Sequence, residues 1–345
     1  MKHVDCMIIG GGLAGCLLAR ELQQNNFSVH MFDKYKANSA SRVAIGLVNP
    51  ITGKRLVKSW LIDQLIPVAK QTYKNIEEEF SSQFLFDTTI ARIIPNTEIF
   101  EQWKQNFDSA VADGYISPSL KCMTINSHQF EYFEILNAFW VDVNACVKAM
   151  TEQNKQRQQF TDTDFEYDRL QIKHHVVYDK IRADRVIFCD GAQGRNNPFF
   201  AHLPFNVNKG EVAQVSMPDF NFSDTLKKNI FLLPTQHGHT IGSTYNREFG
   251  EDETPNQDAI QYFTEKLNEL GLTGKFSNLK AGVRPSTTDR RPFIGPHHSL
   301  DKVFIFNGFG AKGVSLIPFF AKQFVGELQG KETVNKEAST RRFFV

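Results

Sequence analysis

Cysteine is scarce in this chain. Five residues, Cys6, Cys16, Cys122, Cys146 and Cys189, are scattered over 345 positions with no Cys-x-x-Cys pair. That spacing builds neither a disulfide framework nor a cysteine zinc site, so we read reduced thiols, a cytoplasmic location and no metal ligands. Long apolar runs are missing too. None approaches the ~20 residues that a membrane-spanning helix needs. The first strand pattern starts beside Met1, which leaves no room for a signal peptide. Charge of one sign is also lacking: 39 Lys and Arg face 38 Asp and Glu, a net of +1. So even a balance argues against nucleic acid as the main partner. Internal repeats and low-complexity linkers are absent as well.

Phenylalanine is plentiful, at 31 residues. Most should be core, and some are free to line an apolar pocket. Composition is otherwise that of a globular protein, 41% apolar and 22% charged. The length suggests about two domains.

The chain is organised around its first turn. The apolar run Val4 to Ile9 ends in Gly10-Gly11-Gly12-Leu13-Ala14-Gly15 and enters a helical pattern. In a Gly-x-Gly-x-x-Gly turn, Gly10 permits the tight bend and Gly12 lets backbone approach a pyrophosphate. Gly15 lets helix pack on strand. The amides of Leu13 and Ala14 then open a helix N-terminus that favours phosphate. A second strand, Phe27 to Phe32, ends in Asp33, at the distance where an acid holds a ribose hydroxyl pair; Lys34 follows it. The turn alone leaves FAD and NAD open.

Next comes Ser41 to Arg55, small, glycine-bearing and too apolar for a solvent loop. One reading has its backbone crossing a flat ligand, with Ser41 and Arg42 near phosphate and Gly46 against a ring. The other is a strand and a turn built on Asn49-Pro50. Trp60 to Phe80 has helical spacing, Phe84 to Ile94 reads as strand and Glu98 to Ala112 as a polar helix. Phe130 to Val143 is strand-like and Asn144 to Gln159 helical. Phe165 to Ile172, Val176-Val177 and Ile181 read as a small antiparallel set. A buried strand, Asp184 to Asp190, then ends at Gly191, where the chain can turn close to a ligand. Strands at Glu211 to Met217, Ile230 to Pro234 and Thr240 to Thr244, with a helix at Asn256 to Leu270, indicate a second, largely antiparallel domain. The last part returns to strand, glycine loop and helix: Val303 to Asn307, then Gly308-Phe309-Gly310-Ala311-Lys312-Gly313, then Val314 to Glu327. Two helix N-termini would thus meet one large cofactor. The basic, aromatic tail Arg341 to Val345 reads as a frayed terminus.

Taken together, the N-terminal turn with Asp33, the Ser41 to Pro50 segment, the strand to Gly191, Gly282-Val283-Arg284-Pro285, Pro292-Phe293-Ile294-Gly295 and the final glycine loop resemble the D-amino-acid-oxidase superfamily. The C-terminal motifs are the specific part. The resemblance implies an α/β, Rossmann-like FAD-binding domain interleaved with an α+β substrate domain built on a largely antiparallel sheet. We draw the first as residues 1–80, 144–203 and 281–345, and the second as 81–143 and 204–280. It implies an FAD-dependent amine or amino acid oxidoreductase, a flavoprotein that passes hydride from an amine-bearing carbon to flavin N5, the imine then hydrolysing. Oxygen or an unidentified acceptor takes the electrons. Arg284 would pair with the substrate carboxylate. Gly308, Gly310, Ala311, Lys312 and Gly313 would border the flavin, with Lys312 at its N1–C2 edge. No Cys or His stands at an attachment position, so the FAD is non-covalent.

Two departures qualify the resemblance. Phe231 stands where relatives often place a carboxylate-binding tyrosine, and Phe cannot donate that bond. Thr240 stands roughly where sarcosine-oxidase relatives carry a lysine. Tyr245, His237 and His239 are weak candidates for a general base; Glu211 reads as structural, and His297-His298 as a solvent-exposed turn. Two alternatives keep the flavin: oxidation of a tRNA wobble-uridine side chain, or a relay subunit docking through Glu98 to Ala112. An NAD-dependent dehydrogenase would leave the C-terminal glycine loop without a purpose.

Overall fold

The structure is a computed structural model that describes residues 1–53, 55–236 and 238–344; Lys54, His237 and Val345 lie outside the described residues. The chain runs β1 (Lys2–Ile9), α1 (Leu13–Gln24), β2 (Val29–Asp33), the one-turn α2 (Ala40–Val43), the short β3 (Leu47–Val48), β4 (Ile51–Thr52) and β5 (Val57–Lys58), α3 (Ile62–Phe80), β6 (Leu85–Ile93), α4 (Thr97–Ala112), β7 (Lys121–Ile125), β8 (His128–Val141) and α5 (Val143–Gln156). It continues with β9 (Phe160–Asp162), β10 (Gln171–Ile172), β11 (Val176–Tyr178), β12 (Ile181–Phe188), β13 (Asn208–Ser216), β14 (Thr225–Lys227), β15 (Phe231–Thr235), β16 (Gly238–Gly242), α6 (Asp258–Asn268), β17 (Lys275–Arg284), β18 (Phe293–Pro296), β19 (Val303–Asn307) and α7 (Gly313–Leu328).

Two sheets result. In the first, β9, β2, β1, β12 and β19 lie parallel in that order, and β10, β11 and β18 add antiparallel edges. Its central strands are apolar on both faces, as parallel strands covered by helices must be: β1 buries Cys6, Met7, Ile8 and Ile9 in succession. The second sheet runs β17-β13-β16-β15-β14-β6-β8-β3 with β7 on β8, antiparallel except where β14 meets β6. This is the α/β plus largely antiparallel architecture the sequence indicates. Sheet membership interleaves along the chain. β3 joins the second sheet from within residues 1–80, and β17 runs on to Arg284, past position 281.

Phenylalanine supplies much of the core. Phe32, Phe133, Phe139, Phe188, Phe200, Phe263, Phe293, Phe306, Phe320 and Phe324 are wholly buried, each stabilising by roughly 2–3 kcal/mol relative to exposure. α7 is apolar nearly all round, and the largest core cluster joins it to α1, α3 and α5. The Tyr73 hydroxyl of α3 donates to the Val314 carbonyl at 3.0 Å, which ties down the start of α7.

Three local expectations need correction. The tail is docked: Arg342 donates to the carbonyls of Pro292 and Ser339, pairs with Asp289 at 3.0 Å and stacks on Phe293. Phe165 to Ile172 is mostly loop and a 3-10 turn at Tyr167–Arg169, with only Gln171–Ile172 in the sheet, because Phe165 and Tyr167 turn inward onto Phe188. α4 is amphipathic, with Trp103, Phe107 and Ala110 buried and the rings of Trp103 and Phe107 edge-on to Phe133. Among the described residues no helix is long and apolar enough to cross a membrane.

Candidate functional site

The C-terminal ends of the parallel strands open onto a cavity of about 560 Å³ that residues of both sheets line. Its floor is the β1–α1 turn. Gly10 sits at φ +108°, and a β-carbon there would stand 2.3 Å from the Cys189 carbonyl oxygen. A β-carbon on Gly15 would stand 1.9 Å from the Gly10 carbonyl, so helix packs on turn as the sequence reading requires. Gly15 itself therefore faces protein, while Gly10, Gly12, Leu13 and Ala14 line the cavity. α1 has no acidic residue in its first turn and no cap from Gly12. The Leu13 amide instead donates to the Ser41 hydroxyl at 2.9 Å.

Asp33 ends β2 on the cavity wall. Burial raises its carboxyl pKa, against the lowering effect of the Gly11 amide, Arg42 and Lys36. No ion pair to it forms among the described residues, which leaves an acceptor facing the cavity. Lys34 lines the cavity but turns its ammonium towards Asp162, 3.6 Å away. Arg42 donates to Asn144 Oδ1 at 3.2 Å and lies over the Tyr35 ring. The Ser41 to Arg55 stretch, of which Lys54 lies outside the described residues, holds short strands about the Asn49-Pro50 turn, and its first part also lines the cavity. It forms α2, crosses the cavity wall and delivers β3 to the second sheet. Gly46, at φ +79°, lets it pass close to β8, since a β-carbon there would lie 1.9 Å from the Val141 carbonyl.

Past β12, Asp190 is a half-buried hub. It accepts from the Tyr167 hydroxyl (2.9 Å), Asn197 (2.8 Å) and Asn307 (2.8 Å), and burial raises its pKa. Asn307 also donates to the Gly191 carbonyl at 2.9 Å. The hub thereby fixes the turn after β12 to the turn after β19, at Gly191 and Gly308. Gly191 lines the cavity; Gly308 does not, and its φ of +80° serves the turn against Thr287 and Phe293.

The second helix N-terminus follows. Gly310, Ala311, Lys312 and Gly313 line the cavity, and α7, like α1, has neither a side-chain cap nor an acid in its first turn. Lys312 opens onto the cavity and donates to the Ser59 hydroxyl at 3.3 Å. Loss of hydration, then Arg291 and Arg290, lowers its pKa.

Arg284, at the end of β17, is half-buried in the opposite wall. β17 pairs it with Asn208 of β13, and its Nη1 donates to Asn208 Oδ1 at 2.7 Å. Its Nη2 donates to the Ser243 hydroxyl at 2.7 Å. The guanidinium lies over Gly210, where a β-carbon would stand 2.2 Å from Nη2. No acid within ion-pair distance of it is found among the described residues. These two bonds use two of five guanidinium donors. Desolvation lowers the Arg284 pKa, while Tyr245 and Glu211 raise it. Beneath lies a buried pair, Lys209 and Glu211 at 3.7 Å; Glu211 also accepts from the Thr244 hydroxyl.

Sequence reasoning singled out Arg284 and missed Asn208 and Gly210, whose only signal was a polar, glycine-bearing stretch opening β13, and Ser243, which follows the end of β16. Phe231 lines the cavity, with the Lys227 ammonium 4.0 Å from its ring centre. Thr240 and His239 do not line it; His239 packs against Phe220, and Tyr245 is exposed and bonds Arg247. His237 lies outside the described residues.

The donor set fits a dinucleotide. Two helix N-termini with no cap from their own N-cap residues, and a carboxylate with no ion pair among the described residues, line one cavity, and Gly10 and Gly46 let its wall pack closely against the Cys189 and Val141 carbonyls. Residues 5–326 match the model of one protein family, described as FAD dependent oxidoreductase (DAO). The chain is 28% identical to a glycine oxidase of Pseudomonas aeruginosa over 163 residues, 45% of this chain and 44% of that protein. It is 22% identical to the tRNA 5-methylaminomethyl-2-thiouridine biosynthesis bifunctional protein MnmC of Campylobacter jejuni over 329 residues, 88% of this chain and 48% of that protein. The chain thus spans about half the length of each of these relatives. The fold superposes on the crystal structure of glycine oxidase from Geobacillus kaustophilus with a TM-score of 0.78, at 17% identity, covering 97% of this chain and 99% of that one.

Proposed function

Since the chain belongs to the FAD dependent oxidoreductase (DAO) family, we propose that it oxidises the C–N bond of a small amino acid or secondary amine bearing a carboxylate. FAD is its cofactor and supplies acceptance of a hydride from the carbon that carries nitrogen. The residues that would hold it are Gly10, Gly12, Leu13, Ala14, Asp33, Ser41, Gly46, Gly191, Gly310 and Gly313, with Arg42 and Lys34 at the rim. The amides of α1 would meet its phosphates and Asp33 its ribose hydroxyls. Lys312 and the N-terminus of α7 would balance negative charge on the electron-rich end.

One observation carries the substrate reading: Arg284 is a half-buried cation on the cavity wall with hydroxyl and amide partners but, among the described residues, no acid. A cation desolvated without a counter-ion is costly unless a ligand provides one. Asn208 and Ser243 fix the plane of its fork, so a carboxylate can approach the remaining donors side-on. Phe231 offers that carboxylate no hydrogen bond, so the apolar side of the pocket is left to the amine substituent.

The test is an anaerobic titration of the purified holoprotein with a panel of amino acids and N-methylated amines, following the flavin bands. Bleaching by amino-carboxylates supports the reading, and bleaching only by amines without a carboxylate contradicts it. A second reading, the side chain of a tRNA uridine as substrate, draws support from the 88% of this chain that aligns with the tRNA-modifying relative. Tight, salt-sensitive tRNA binding would favour it.

A further inference from the structure

A second set of ligating side chains stands on the parallel sheet, towards the opposite end of β1 from the cavity. β1 pairs His3 with Arg182 of β12, which puts Asp184, two residues on, on the same face. β11 pairs Val176 with Ala183 in antiparallel register, so the next position sets His175 across from Asp184. The side chains converge accordingly. His3 Nε2 lies 3.0 Å, and His175 Nδ1 3.7 Å, from the same Asp184 oxygen. All three ligand atoms lie within 4.8 Å of one another.

A hydrogen bond accounts for His3 and Asp184 but not for His175. Its Nδ1 is buried, has no hydrogen-bond partner among the described residues and faces a carboxylate oxygen just beyond reach. A cation among the three atoms would satisfy that nitrogen. Four ligands at ~2.1 Å around a tetrahedral ion stand roughly 3.4 Å apart, close to the 3.0 and 3.7 Å that separate the Asp184 oxygen from the two imidazoles. We propose that His3, His175 and Asp184 bind a divalent transition-metal ion of the zinc class. Two imidazole nitrogens and one carboxylate suit such an ion and offer too few oxygens for calcium or magnesium. The side chains keep 41%, 31% and 39% exposure, so solvent completes the coordination. At ~3.3 Å per residue, β1 sets His3 roughly 23 Å from the Gly10 turn. The ion therefore clasps β11, β12 and β1 together without touching the reaction.

The test is calorimetric titration of the full-length holoprotein with ZnCl₂, paired with thermal melts. The expected result is one ion per chain and a raised Tm, with no heat from MgCl₂. His175→Ala and Asp184→Asn should each weaken binding at least about tenfold while flavin content stays unchanged. His202→Ala, in a separate histidine cluster with His297 and His298, should bind zinc as the wild type does. Absence of one-to-one binding, or unchanged affinity in His175→Ala, overturns the proposal. Cu²⁺ bound one-to-one to the wild-type chain gives a check that needs no folded variant. Hyperfine structure from two nitrogens is expected, and an oxygen-only spectrum overturns the proposal.

Discussion

Replacing Gly210 with alanine should move Arg284 and little else. The new β-carbon would stand 2.2 Å from Nη2, 2.3 Å from Nη1 and 2.5 Å from Cζ. Ordinary contact begins near 3.4 Å, so the guanidinium must retreat by about 1.2 Å from its closest approach. The atoms met are the far end of a flexible side chain, and Gly210 is not in the left-handed region. Stability should therefore fall only modestly, by about 1–2 kcal/mol. Function should suffer far more. Displacing a positioning group by ~1 Å costs on the order of 100-fold in rate, equivalent to about 2.7 kcal/mol of transition-state stabilisation. The assay is steady-state turnover of the amino-carboxylate that bleaches the flavin best, alongside a thermal melt of the same sample. Wild-type kcat/KM in Gly210→Ala would refute the claim that the Arg284 fork is held in one plane for substrate.

Three further outcomes can be checked. Gly15→Ala, whose β-carbon would press on the Gly10 carbonyl at 1.9 Å, should cost about 3 kcal/mol and yield protein with little flavin, read from melts and absorbance. Asn307→Ala should strand the Gly191 carbonyl and one Asp190 oxygen and cost about 1–3 kcal/mol by urea denaturation, with weaker FAD retention. Burial, then Lys2, pushes the His30 imidazole from 6.5 down to about 4. The unfolded chain takes up that proton near pH 6.5 and the native one only near 4, so stability is lost as pH falls through this window. The loss is on the order of 3 kcal/mol. His30→Gln should flatten the pH dependence of Tm there.

Much of the fold was legible because its signals are local. Gly10, Gly12 and Gly15 sit within six positions, and strand, turn and helix announce themselves by adjacent residues. The α7 loop is readable for the same reason. The pocket was legible only in part. Arg284 stands out in sequence, but Asn208 and Ser243 reach it through β13–β17 pairing and the end of β16, 76 and 41 positions away. No period or spacing reports such a juxtaposition. The tail misled because a terminal run of Arg and Phe reads as loose, whereas Arg342 finds Asp289 and Phe293 only once β18 is in place. Tyr245 and His239 were drawn in as base candidates by nearness in sequence to pocket strands; strand alternation and an exposed loop turn both away.

The central claim, that Arg284 anchors a carboxylate beside the flavin, is tested most directly by comparing two reductants that differ only in that group. Rapid-mixing measurements under anaerobic conditions would follow flavin bleaching by N-methylglycine and by dimethylamine, in the wild type and in Arg284→Ala. The account predicts a preference for the carboxylate-bearing amine of at least about 100-fold in the wild type, collapsing in the variant. Equal rates with both amines in the wild type, or a preference that survives loss of Arg284, would contradict it.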